Sequence, residues 1–167
     1  METGLSLGSN LGDRQANLAT ARDRFLAMPG VKLLAQSPIY ETEPVGVKPE
    51  YAEMKFLNAV LILDTDYEIH EWFDLMRMVE DELGRTRSLD RYAPRGIDVD
   101  MIYYGDMHVE SGGLCVPHRH WKERRFVAQP LADVRPELVL PGETRTTQQI
   151  LDSLPAGEAV NLLTRHW

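Results

Sequence analysis

A chain of 167 residues has the length of one ordinary domain, with enough apolar sequence to bury a core, so residues 1–167 are expected to form a single domain. The formal net charge of -8 excludes a protein that coats nucleic acid or an anionic membrane, because such binding rests on an overall basic surface; the arginines must act locally. Cys115 is the only cysteine, which excludes an intrachain disulfide and points to a reducing, cytoplasmic setting with a buried, inert thiol.

In chain order, Gly4-Leu-Ser-Leu-Gly-Ser alternates apolar and small residues as a short strand does, and Asn10-Leu-Gly-Asp13 supplies turn and N-cap chemistry. Leu18, Ala21, Phe25 and Met28 then recur at helical spacing until Pro29-Gly30 stops the run. Residues 31–40 read as a second strand. Prolines, glycine and charges break every period over residues 41–55, which predicts a loop of a length that is usually functional or disordered. A strand rich in branched residues resumes over 56–64. It contains the longest apolar run, 56–63 broken by Asn58, far short of the ~20 residues of a membrane helix, and the N-terminus shows no basic segment followed by an apolar stretch.

Ile69, Trp72, Met76, Val79 and Leu83 form the stripe of a second helix, with Gly84 placed for a left-handed C-terminal cap. Residues 96–104 alternate Ile97, Val99 and Met101 against Asp98, Asp100 and Ile102, a strand with two carboxylates on one face. A short strand over 114–116, a basic turn, an apolar stretch over 126–134 and a last helix over 146–154 complete the chain. The order strand, helix, strand, strand, helix, strand predicts an α+β fold: a ferredoxin-like antiparallel sheet with helices packed on it, plus C-terminal additions.

The chemistry concentrates in residues 85–100, Arg-Thr-Arg-Ser-Leu-Asp-Arg-Tyr-Ala-Pro-Arg-Gly-Ile-Asp-Val-Asp. Guanidinium forks match phosphate oxygens, and an Asp-x-Asp pair about 6–7 Å apart at Cα on one strand face can hold the magnesium that a nucleoside triphosphate carries. Read alone, such a pair is two solvated acids, and the arginines upstream are their salt-bridge partners. Like charges on adjacent same-face positions repel, however, and require a compensating cation. His118, Arg119, Lys122, Arg124 and Arg125 form a second basic group. No P-loop signature occurs, so a phosphate site here is built from side chains on an antiparallel sheet, and Gly8 and Gly12 read as a tight turn.

Taken together and in order, Gly8-Ser-Asn-Leu-Gly-Asp13, Tyr40-Glu-Thr-Glu-Pro-Val-Gly46, Phe56-Leu-Asn-Ala-Val60, Glu80 with Leu83-Gly-Arg-Thr-Arg87, Arg91-Tyr-Ala-Pro-Arg-Gly-Ile-Asp-Val-Asp100 and Val116-Pro-His118 resemble the 6-hydroxymethyl-7,8-dihydropterin pyrophosphokinases of folate biosynthesis. The resemblance implies transfer of the β,γ-diphosphate of ATP, the co-substrate, to the pterin hydroxymethyl group, releasing AMP, with two Mg²⁺ ions. It implies Asp98 and Asp100 as metal ligands, and Thr42, Val45, Gly46, Phe56, Asn58, Asp98 and Phe126 around the pterin, with the ring stacked between Phe56 and Phe126. It places Glu80, Arg85, Arg87, Arg91, Tyr92, Arg95, Met101, His118, Arg119 and Arg124 on the nucleotide side, with Arg85 and Arg95 stabilising transition-state charge.

The expected partners are these small molecules, with no nucleic acid and no membrane, and a monomer is expected. Departures from the family pattern fall at Arg77, Ser88, Tyr92 and Ala93, and are expected to alter nucleotide affinity more than catalysis. A non-catalytic sensing module and a metal-dependent phosphodiesterase are the competing readings of the same residues.

Overall fold

The computed structural model describes residues 1–84 and 94–167. Eight strands and four helices are formed by the described residues: β1 (Glu2–Ser9), α1 (Arg14–Leu26), β2 (Val31–Gln36), β3 (Ile39–Thr42), β4 (Phe56–Thr65), α2 (Ile69–Glu82), β5 (Asp98–Tyr104), β6 (Val109–Ser111), β7 (Leu114–Val116), α3 (Arg125–Val134), α4 (Thr147–Ser153) and β8 (Val160–Thr164). One antiparallel sheet runs β5-β1-β4-β3-β8, with β2 also pairing β4, and β6 and β7 form a separate hairpin. With β2 and β3 counted as one interrupted strand, the βαββαβ unit has the ferredoxin-like order, fourth-first-third-second. The fold is α+β, as its sequence pattern predicts.

Local chemistry sets the boundaries. Asp13 caps α1 by accepting from the Ala16 N–H at 3.0 Å, and Gly84, at φ 90°, takes the left-handed position that ends α2. The single strand expected over 31–40 is broken at Ser37-Pro38. Pro38 has no N–H for the ladder, and the Ser37 hydroxyl accepts the Val60 N–H at 2.8 Å in place of a backbone carbonyl. The loop expected over 41–55 is shorter than its sequence suggests: β3 continues through Thr42, and residues 49–51 form a 3-10 turn. The strand expected from Gly96 begins at Asp98. Cys115 is half-buried rather than buried, its thiol directed at the Pro117 carbonyl.

The strands are covered on both faces. On one face α1 and α2 pack Leu18, Phe25, Trp72, Met76 and Val79 against Leu5, Leu7, Leu61, Leu63, Val99 and Met101. On the other, Trp121, Val127 and Leu131 of the α3 layer and Ile150 of α4 close over Val60, Ile62, Ile102 and Tyr103. The central strand β4 is thus buried on both sides, which explains its nearly unbroken apolar run. A bulge opposite Gly4 and Leu5 adds Ile102 to β5, so Ile102 and Tyr103 both face the second layer. No helix among the described residues is long and apolar enough to cross a membrane.

Candidate active site

Cross-strand register assembles the polar end of the second face. Asp98 of β5 lies opposite Gly8 of β1, Gly8 opposite Asn58 of β4, and Asn58 opposite Tyr40 of β3; directly opposed residues share a face. Two residues further along the strands come Asp100 and Ser6, and in the other direction the pair Phe56 and Thr42. The two carboxylates therefore share one face, both half-buried, while Val99 between them enters the core.

Each polar member is held. The Asn58 Nδ2 donates to the Thr42 hydroxyl at 2.6 Å, with both residues buried. Arg95, mostly buried, places a guanidinium nitrogen 3.5 Å from Asp98 Oδ1. Its backbone is fixed by Asn10, whose Oδ1 accepts the Arg95 N–H at 2.8 Å and whose own N–H donates to the Arg95 carbonyl at 3.2 Å. Glu80, 4% exposed on α2, accepts the Val99 N–H at 2.7 Å from the far side of β5, which steadies the strand between the two aspartates. Met101 is equally buried in the first core, so only its backbone on the sheet edge can meet a ligand.

The third wall comes from the chain after β7. The His118 N–H donates to the carbonyl of the bulged Ile102 at 2.8 Å, tying this segment to β5. Burial, then the Arg124 and His120 charges, lower the His118 pKa to about 4 against the upward pull of Asp98, so the ring is neutral at pH 7. Its Nδ1 accepts the His120 N–H at 3.1 Å, which places the proton of the neutral ring on Nε2. The Arg124 guanidinium lies 5.8 Å from the centroid of the Phe126 ring, and Phe126 packs against the edge of the second core.

Other expected site residues stand differently. Val45 is exposed and Gly46, at φ 69°, adopts a conformation that favours glycine, so this turn offers backbone groups to solvent. Arg119 is exposed and paired with Glu110 of β6. Arg77 sits on the outer side of α2 over the Phe73 ring, 5.7 Å from its centroid. Arg85, Arg87, Arg91 and Tyr92, with Ser88 and Ala93, lie outside the described residues. The tight turn expected at Gly8 and Gly12 holds only Gly12, at φ 72°; Gly8 lies inside β1 at the centre of the polar level, and Asn10, expected to supply turn chemistry alone, clamps Arg95. A signal for Gly8 was present, since Gly4, Ser6 and Gly8 put small residues on one face of β1 throughout.

Among the described residues no three His, Cys, Asp or Glu gather as a complete metal cage. A magnesium ion typically takes one or two carboxylates together with water and substrate phosphates, and the hard oxygens of Asp98 and Asp100 fit that donor set. An antiparallel α+β sheet carrying paired acids, an adjacent arginine and a buried amide is a candidate for a side-chain-built phosphoryl-transfer site.

Residues 4–136 match the family described as 7,8-dihydro-6-hydroxymethylpterin-pyrophosphokinase, HPPK. The chain is 41% identical over 140 residues to the 2-amino-4-hydroxy-6-hydroxymethyldihydropteridine pyrophosphokinase of Methylorubrum extorquens, covering 84% of this chain and 86% of that protein. It is 36% identical over 151 residues to the Pseudomonas aeruginosa protein of the same name, covering 90% of each. The fold is similar to a crystal structure of Plasmodium falciparum HPPK-DHPS, with TM-score 0.65 at 13% identity over 90% of this chain and 42% of that one, a likeness of fold alone. The chain belongs to the HPPK family, and its activity is that family's ATP-dependent pyrophosphoryl transfer to hydroxymethyldihydropterin in folate synthesis.

Proposed function

We propose that the polar level Asp98–Gly8–Asn58, with Asp100 and Arg95 beside it, is where this transfer takes place. The observation that carries the reading is the register itself, which brings acids, amide and open backbone from three strands onto one face. The pterin ring stacks between Phe56 and Phe126 and hydrogen-bonds to Asn58, Thr42, Asp98 and the backbone of Val45 and Gly46, as suits a flat, polar heterocycle. Its hydroxymethyl oxygen attacks the β-phosphorus of ATP and gives up its proton to solvent, the bond from the α,β-bridging oxygen to that phosphorus breaks, and AMP leaves with that oxygen.

Asp98 and Asp100 would hold two Mg²⁺ ions, which supply charge neutralisation over the phosphates and lower the pKa of the attacking hydroxyl. Arg95, with Arg85, stabilises charge on the transferring group, while Arg87, Arg91, Tyr92, His118 and Arg124 bind the nucleotide. The neutral His118 serves as a donor through Nε2. Arg119 exchanges Glu110 for phosphate, Met101 offers backbone at the sheet edge, and Glu80 acts through β5. The protein works as a single-domain monomer in the cytoplasm.

The test is to incubate the protein with ATP, Mg²⁺ and reduced 6-hydroxymethylpterin and resolve the nucleotides. Pterin-dependent AMP without ADP is expected from the wild type, and its loss in Asp100→Ala. Undiminished AMP from that variant would overturn the placement.

A further inference from the structure

Glycine inside a strand weakens it by about 0.5–1 kcal/mol relative to alanine, so each strand glycine calls for a cause. Two lie in β1. At Gly4 the cause is packing: a methyl group there would overlap the Tyr103 ring, which crosses β1 at that point. At Gly8 the protein supplies no such cause. A Cβ would sit 3.4 Å from Asn58 Oδ1, 3.6 Å from Phe56 Cδ1 and 4.0 Å from the Asp98 Cβ, all ordinary contact distances, and the backbone is not left-handed. The chain alone accepts alanine at position 8.

The three atoms that a side chain would meet belong to three residues assigned above to the pterin. The Asn58 amide, with Nδ2 spent on Thr42, turns Oδ1 toward Gly8, and Asp98 flanks the same point from the other strand. We infer that Gly8 is a specificity-determining residue: its missing side chain leaves the space between the Asn58 amide, the Phe56 ring and Asp98 that the edge of the heterocycle fills. The inference rests on the reading of this level as the pterin site and adds a residue that makes no polar contact of its own. A methyl group there occupies ligand space without disturbing the fold, and the ring then meets Asn58 and Asp98 only at longer range.

The test measures three quantities on Gly8→Ala: the thermal midpoint, the affinity for α,β-methylene-ATP with Mg²⁺, and the affinity for reduced 6-hydroxymethylpterin in the presence of that analogue. The expected result is an undiminished midpoint, unchanged nucleotide affinity and pterin affinity weaker by about 10- to 200-fold, the range that one methylene in a substrate pocket commands. Asn58→Ala serves as the reference for the site. If it weakens pterin binding while Gly8→Ala does not, the inference is overturned and the site stands. If neither weakens it, the placement of the site fails as well. A Gly8→Ala protein that unfolds or loses the nucleotide equally would make this glycine a packing residue like Gly4, which also overturns the inference.

Discussion

The two faces of one sheet carry the same strands to different ends. On the α1–α2 face, Leu5, Leu7, Leu61, Leu63 and Val99 meet Phe25, Trp72 and Met76 in a largely apolar layer, whose buried charged residue Glu80 accepts the Val99 N–H. On the opposite face the cover by α3 and α4 extends over Val60, Ile62, Ile102 and Tyr103, and the adjoining positions on the same strands are Asp98, Gly8, Asn58 and Thr42. Alternation along a strand lets adjacent residues serve separate purposes: Val99 enters the core while its neighbours on either side face the proposed site. Stability and chemistry should therefore be separable by substitutions only one or two residues apart.

The largest effect should come from Asp98→Ala, which removes a proposed metal ligand worth several kcal/mol of transition-state stabilisation and should lower kcat by about three orders of magnitude or more. Its denaturant midpoint should stay close to that of the wild type, which a chevron-free equilibrium titration measures directly. The reciprocal change is Trp72→Ala on the other face. Trp72 is fully buried against Phe25, with ring centroids 5.5 Å apart, and its truncation should cost ~3–5 kcal/mol of stability. Where that variant is folded, its pterin affinity should match the wild type; a specific loss of pterin binding would break the division between the faces.

Much of this architecture is legible in the sequence, for reasons that also explain the gaps. The stripe of Ile69, Trp72, Met76 and Val79, and Gly84 after it, define α2 because a buried helix must repeat its apolar face and end on a residue that tolerates positive φ. By contrast, β8 escaped notice, since Asn161, Leu162 and Leu163 are all exposed on an edge strand and show no alternation. β7 matches the short strand expected over 114–116, but its partner β6 is too short to show a period, and the hairpin joining them turns on Gly112 and Gly113, both at positive φ. In the site, acids and arginines announce themselves by charge. The placement of Gly8 beside Asn58 and Asp98 depends on which strands become neighbours, and that of Asn10 beside Arg95 on which loops the fold brings together; no local pattern encodes either.

A smaller effect sharpens the boundary between site and core. Phe56 begins β4 half-exposed, so Phe56→Ala should weaken pterin binding roughly tenfold through the lost ring contact while changing stability far less than Trp72→Ala. Calorimetric titration of the pterin with the ATP analogue present checks it.

The smallest is a pH effect. The His118 pKa is lowered from 6.5 to about 4 in the fold, so the unfolded chain binds this proton first as the pH drops. The contribution of His118 to stability is complete above pH 6.5 and is lost progressively as the pH falls from there toward about 4. His118→Asn should flatten that part of the stability profile measured by urea titration; an unchanged slope would remove His118 as its source.

Backbone amide mapping by NMR tests the central claim most directly, with reduced 6-hydroxymethylpterin titrated into the labelled protein in the presence of α,β-methylene-ATP and Mg²⁺. Shifts concentrated at Gly8, Thr42, Asn58, Asp98 and Phe126, with the α1–α2 face quiet, are the result predicted. Shifts centred on α1 and α2, with Gly8 and Asn58 unmoved, would contradict it.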